Sequence, residues 1–399
     1  MTAVAFPPRL SAAAVRAFDP ERWAGNAAGG GQDWVGLHQG DPCFPTPPHI
    51  VEAAFKAVAD EYTHYPPPSG DPELRTALAD RMNRVAARKC DPDDVFVTAG
   101  ATEAIYCALT AYVEPGDEVL LFDPSYSLFA PILRQIGAKP VFVDMTGDFR
   151  VDPERLEAAV TSRTRMIVVN NPVNPTGMVF SREELEAVAD VAVRADALVL
   201  ADEVYDNLVY DVEFVSTLEL PELADRLLYV NSFSKTYAMT GWRLGWLAGP
   251  TALALGAQVI HRNCVGTVNW PTQRAGVAAL TGPQDVVTDM LDGYRIRRDI
   301  LLARLSDTPG LEPVPTQAAF YAWIGFPTET GLTSERVTQL LRDAGVGVRS
   351  GTEYGAAGEG YLRLSFAAGT ADVAIGAERI HDLFAGLAAD EQPLARAER

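Results

Sequence analysis

The feature that most constrains this chain is a long alternation of short apolar runs with helical patterns. Asp94–Thr98 (DVFVT) reads as a strand and Glu103–Tyr112 as the helix after it. Glu118–Phe122 is a short buried strand, Ser125–Ile136 a helix, Pro140–Val143 a strand and Pro153–Val160 a helix. Arg165–Asn170 (RMIVVN), Leu198–Asp202 (LVLAD), Leu227–Asn231 (LLYVN) and Arg243–Leu247 come next as strands, with a helix over Ser181–Arg194. The strands are mostly unbroken apolar runs, as in a sheet covered on both faces. Such a series predicts a mostly parallel, doubly wound α/β sheet. From about Pro283 the pattern changes. A long helix (Asp285–Leu305) leads into mixed short strands and helices, a smaller α+β domain. The expected division is residues 1–40 packing with the small domain, 41–284 as the large domain, 285–388 as the small one and 389–399 as a tail. Residues 26–32, rich in glycine, read as a loop.

Composition narrows the function. The 399 residues hold 33 Lys+Arg against 53 Asp+Glu, a formal net charge of −20. A surface that acidic repels a phosphate backbone, which argues against nucleic acid and anionic membrane as partners. A local basic pocket for a small anion remains compatible with it. The start, MTAVAFPPRL, does not read as a signal peptide. No apolar run reaches the ~18–20 residues of a membrane span. Cys43, Cys90, Cys107 and Cys264 are scattered, without a C-x-x-C pair. They are expected to be buried free thiols in a reducing cytosol, with no metal site. The expectation is a soluble cytoplasmic protein.

In doubly wound sheets ligands bind beyond the carboxyl ends of the strands, so the residues there matter most. Asp94–Thr98 runs into Ala99-Gly100-Ala101-Thr102-Glu103, a small-residue turn entering a helix. Its free N–H groups suit a phosphate, although an ordinary strand–helix turn reads the same. Arg165–Asn170 runs into Asn171-Pro172-Val173-Asn174-Pro175-Thr176-Gly177, in which two prolines around one Asn would fix an amide at a strand end. Leu198–Asp202 ends in Asp202-Glu203-Val204-Tyr205, an acid with a Tyr three residues on, or merely a cap. Leu227–Asn231 runs into Ser232-Phe233-Ser234-Lys235-Thr236-Tyr237, then Gly241-Trp242-Arg243-Leu244-Gly245. The only other lysines are Lys56, Lys89 and Lys139. Lysine forms Schiff bases because its amine loses its proton when desolvated or beside other cations. Arg243 offers a fork for a phosphate dianion.

Joined in this order, these segments resemble the pyridoxal-5′-phosphate (PLP)-dependent aminotransferases of fold type I, class I/II, the aspartate-aminotransferase-like family. The matched stretches are HQGDPCFPTPPHI, THYPPPSGDPELR, TAGATEA, DPSYSLF, NNPVNPTG, ADEVYDNLVY, SFSKTYAMTGWRLG and YLRLSF, from about Gly40 to Phe366. The resemblance implies that Lys235 holds PLP through its amine and that Asp202 accepts a hydrogen bond from the pyridine N–H. Tyr205 and Asn174 would donate to the ring oxygen, and Tyr126 would stack on the ring. Ala101, Thr102, Ser232, Ser234 and Arg243 would hold the phosphate. Tyr65 would reach the phosphate of a neighbouring subunit in a homodimer. Arg363 would clamp the substrate α-carboxylate, helped by Asn174 and the backbone of Gly40. The implied reaction moves an amino group between an L-amino acid and a 2-oxo acid. Lys235 acts as general base, and the kinetics are ping-pong. Other PLP reactions on this fold, such as elimination, aminocyclopropane-carboxylate synthesis or cyclisation, share the same residues.

Departures from the family pattern cluster at the substrate mouth. Ala318 stands where a glycine is common, and Arg349 and Ser350 replace an apolar residue and a proline. Arg349 either pairs with an acidic substrate side chain or is solvated or salt-bridged. His38 falls near the pocket and reads as structural. The resemblance also implies cis bonds before Pro124 and Pro175. A PLP-binding regulator would need a DNA-binding module for which the chain has no spare length. A nucleotide-binding oxidoreductase would need G-x-G-x-x-G after a strand, which is missing.

Overall fold

The computed structural model describes residues 10–17, 33–328 and 331–389. The glycine-rich segment 26–32 and the tail beyond Ala389 lie outside the described residues. In chain order the strands are β1 (Val35–Gly36), β2 (Val95–Thr98), β3 (Glu118–Asp123), β4 (Lys139–Asp144), β5 (Thr164–Asn170), β6 (Leu198–Asp202), β7 (Leu227–Ser232), β8 (Gly245–Ala248), β9 (Glu312–Pro313), β10 (Tyr321–Gly325), β11 (Val346–Gly347), β12 (Arg349–Ser350) and β13 (Tyr361–Ser365). Seven of them form one sheet in the order β2-β8-β7-β6-β5-β3-β4. Only β8 runs against its neighbours. All of β2, β3, β7 and β8 is buried, as their apolar runs predict.

The second sheet is antiparallel, β12-β13-β10-β9. It is covered by the helices Asp285–Ser306, Ser334–Asp343 and Thr370–Ala389, whose Leu301, Leu305, Val337, Leu341, Ile380 and Phe384 share one core with Ile324 and Leu364. The segment before Gly40 touches both parts of the chain. β1 pairs with β11, whereas the helix Ala12–Ala17 lies against the helix Phe129–Ile136. There Arg16 donates to the Arg134 and Gln135 carbonyls, satisfying a helix end.

Three expectations need correction. The helix expected from Ser125 begins at Phe129; residues 125–128 precede it as a loop, in which the Ser125 N–H donates to the Tyr354 carbonyl at 2.7 Å. The strand expected from Arg243 begins at Gly245, because Arg243 is left-handed, with φ +54°. Of the four free thiols, Cys90 and Cys107 are buried but Cys43 and Cys264 are exposed. Cys264 closes the surface helix Thr251–Cys264. Among the described residues no helix is long and apolar enough to cross a membrane.

Candidate active site

The strands β2, β5, β6 and β7 end at one edge of the large sheet, and the segment after each strand lines one cleft of about 570 Å³. After β2, Gly100 has φ +82° and opens the helix Ala101–Tyr112. A Cβ there would stand 2.7 Å from Arg243 Nη2, so glycine lets the guanidinium lie against the helix N-terminus. Arg243 is held by the Thr240 carbonyl at 2.8 Å and the Ala99 carbonyl at 3.3 Å. Ala101, Thr102, Ser232 and Ser234 line the same corner. First-turn N–H groups, three hydroxyls and one guanidinium make a cradle for a small dianion.

Asp202 ends β6 and is 2% exposed. Its carboxylate accepts one hydrogen bond among the described residues, from the Val204 N–H at 3.3 Å. Burial pushes its pKa up to about 7, against the opposing charge of Lys235. A buried carboxylate so poor in donors suits a cationic N–H opposite it. Lys235 sits in the short helix Phe233–Thr236 after β7. Its Nζ donates to the Gly40 carbonyl at 2.6 Å and lies 5.5 Å from the Phe320 ring. Burial lowers its pKa, and Arg363 and Arg243 push the same way while Tyr321 and Asp41 oppose. Tyr205 is buried, and its hydroxyl meets that of Tyr321 at 2.9 Å.

The opposite end of the cleft belongs to the small sheet. Arg363, in the middle of β13, donates Nη1 to Asn174 Oδ1 at 3.1 Å and Nη2 to the His38 carbonyl at 2.7 Å. Its guanidinium lies 4.2 Å from the centre of the Tyr321 ring and 5.1 Å from that of Tyr354. The Nε is buried without a partner among the described residues. This is a fixed fork with a donor to spare, the requirement for gripping a carboxylate. Asn174 uses its oxygen on Arg363, which leaves its amide N–H groups to donate elsewhere. Its backbone N–H is fixed by Asn170 Oδ1 at 2.9 Å. Tyr126 lines the cleft from the loop before Phe129.

The cis bonds are Asp123–Pro124, as expected, and Asn171–Pro172 rather than the bond before Pro175. Pro175 lies instead within a turn closed by the Gly177 N–H on the Val173 carbonyl at 2.8 Å. Arg349 is salt-bridged to Glu353 at 3.2 Å and donates to the His38 carbonyl at 3.4 Å. The His38 ring is pushed down to about 4 by burial and by Arg349 and Arg363; its carbonyl, not its ring, organises the arginines. Tyr65 is 91% exposed and lies outside the cleft of its own chain. Sequence reasoning missed Tyr321, Tyr354 and Glu353. Tyr321 stands in the segment PTQAAFY, where no local motif distinguishes it. Only the register, Tyr321 opposite Ser365 and Trp323 opposite Arg363, brings it diagonally beside the guanidinium.

The doubly wound sheet, with a desolvated lysine and an acid at its carboxyl edge, has the form of a fold-type-I transferase. Residues 32–380 match the family described as aminotransferase class I and II. An aspartate aminotransferase of Streptomyces avermitilis is 37% identical over 388 residues, 94% of each chain. An arginine–pyruvate transaminase of Pseudomonas aeruginosa is 35% identical over 85% of this chain and 87% of that one. The solved aspartate aminotransferase of Thermus thermophilus with maleate superposes with a TM-score of 0.84 at 34% identity, covering 94% of this chain and 97% of that one. The chain belongs to the class I and II aminotransferases, a PLP-dependent family, and is a transaminase.

Proposed function

We propose that the cleft binds PLP and moves an amino group between an L-amino acid and a 2-oxo acid in a ping-pong sequence. The observation that carries this reading is the juxtaposition of Lys235 and Asp202, both driven toward their neutral forms by burial, between an anion cradle and a spare guanidinium donor. When bound, PLP supplies a ring that takes up the electron pair left as the α-proton departs. Lys235 holds the cofactor. Its Nζ then removes the α-proton as general base, a role favoured by the burial that lowers its pKa. Asp202 keeps the pyridine N–H protonated, and that partner restores the charged carboxylate. Tyr205 and the Asn174 amide donate toward the ring oxygen, and Tyr126 covers the ring. Ala101, Thr102, Ser232, Ser234 and Arg243 take the phosphate. Arg363 grips the α-carboxylate, with Asn174 and Gly40 beside it.

The same reading extends to assembly. Residues 41–284 form the cofactor domain and 285–388 the smaller domain. A second copy of the chain brings its Tyr65 to the phosphate. The exposed Phe55 and Val58, and Leu255 and Val259, support such an interface; the Gln258–Ser69 hydrogen bond at 2.7 Å ties the Leu255/Val259 helix to the segment just after Tyr65. The site of action is the cytoplasm.

The half-reaction tests this. Holoenzyme mixed with a single amino donor should convert bound PLP to pyridoxamine phosphate, with one 2-oxo acid released per site and then a halt. Continuous turnover of the donor alone, with PLP unchanged, would instead mark an elimination enzyme.

A further inference from the structure

Tyr321 is 3% exposed and lies against Tyr205, Gly40 and Arg363. Its hydroxyl is 2.9 Å from that of Tyr205. Among the described residues that hydroxyl has no other hydrogen-bond partner. It also rests on Gly40, where a Cβ would lie 1.9 Å from the oxygen. The carbonyl of that glycine is the acceptor for Lys235. The Tyr321 ring meets Tyr205 edge-on at 5.8 Å and lies under the Arg363 guanidinium.

Each phenol carries one proton, so only one of the pair donates to the other. If Tyr205 points its proton at the cofactor oxygen, its own oxygen is left to accept. Tyr321 is then necessarily the donor. Accepting a hydrogen bond polarises the Tyr205 O–H and strengthens its onward donation.

We propose that Tyr321 is a positioning residue for both ends of the cleft, its hydroxyl donating to Tyr205 and so aiming the Tyr205 proton at the cofactor, its ring carrying Arg363. The proposal rests on the reading of this cleft as a PLP site. It separates two functions of one side chain, and two substitutions separate them experimentally. Tyr321→Phe keeps the ring and removes the donor. Tyr321→Leu removes both.

The first readout is the pH midpoint of the visible absorbance of the bound cofactor in the holoenzyme. A donor at the ring oxygen stabilises the state without a shared proton, so weakening it raises the midpoint. Tyr321→Phe should raise it by about half to one pH unit and leave KM for the amino acid within twofold. Tyr321→Leu should raise the midpoint by a similar amount and also raise KM roughly 3–10-fold through the lost cation–π contact. Thermal unfolding of each variant checks that it folds. A midpoint unmoved in a folded Tyr321→Phe variant overturns the donor role, and an unmoved KM in Tyr321→Leu overturns the ring role. A wild-type holoenzyme with no pH-dependent visible band overturns the PLP site itself, and with it the role of Tyr321.

Discussion

The two ends of the cleft are built by different means. At the cofactor end, Gly100–Thr102, Asp202–Tyr205 and Ser232–Lys235 each lie at or within a few residues of a strand end of the large sheet. Strand order and parallel direction alone bring those short stretches together. At the carboxylate end, one guanidinium is held by groups from His38, Asn174, Tyr321 and Tyr354. Tyr321 stands in β10 of the small sheet, whereas His38, Asn174 and Tyr354 come from three separate segments outside the strands. The first end is a set of local motifs at an edge; the second is a product of register and packing. Motif chemistry therefore specifies that the enzyme handles an amino group. The packed end, under the function proposed above, sets how tightly the α-carboxylate is gripped.

Breaking the packed end should give the larger kinetic loss. Arg363→Gln leaves the Asn174 and His38 oxygens without their cation and removes the carboxylate fork. It should lower kcat/KM by roughly 10²–10³-fold, mostly through KM, with the cofactor spectrum retained. Loss of the spectrum with KM unchanged would place Arg363 at the cofactor end instead.

The cofactor end is sharpened by pH. In the protein without cofactor, the Asp202 carboxyl is raised from the ordinary 3.8 to about 7. The folded state thus binds this proton more tightly than the unfolded chain. The stabilisation is complete below about pH 4 and is lost as pH rises through 7. Asn cannot ionise. Asp202→Asn apoprotein should therefore match wild type near pH 4 and exceed it at pH 8 by a few kcal/mol in denaturant unfolding. Adding PLP should recover the loss in wild type only. Glu203, also buried and raised to about 8, is common to both proteins and cancels. Parallel pH profiles for the two apoproteins would show that Asp202 is not the buried, unpaired acid described.

The same contrast explains what could be read from the chain in advance. The large sheet was legible because a strand buried on both faces needs an apolar middle, and Val119–Phe122, Met166–Val169 and Leu198–Ala201 supply one in β3, β5 and β6. The cofactor-side residues were legible because each lies a fixed few residues beyond a strand. Tyr321 was not, since its neighbours come from residues 40, 205 and 363. The salt-bridged state of Arg349 depended on Glu353, one helical turn away in a short irregular segment. The position of the second cis bond depended on how residues 171–178 close their turn. The exposure of Cys43 and Cys264 depended on which part of each segment faced outward. Spacing predicts neighbours along an element and fails for neighbours across one.

On the proposed function, Lys235 both holds the cofactor and moves the α-proton. Lys235→Ala tests it most directly, read as the visible spectrum and the single-donor half-reaction of the PLP-loaded protein. The expected result is a folded protein without the pH-dependent visible band of the wild type and with no conversion of PLP by an amino donor. A Lys235→Ala protein that still transaminates would contradict it.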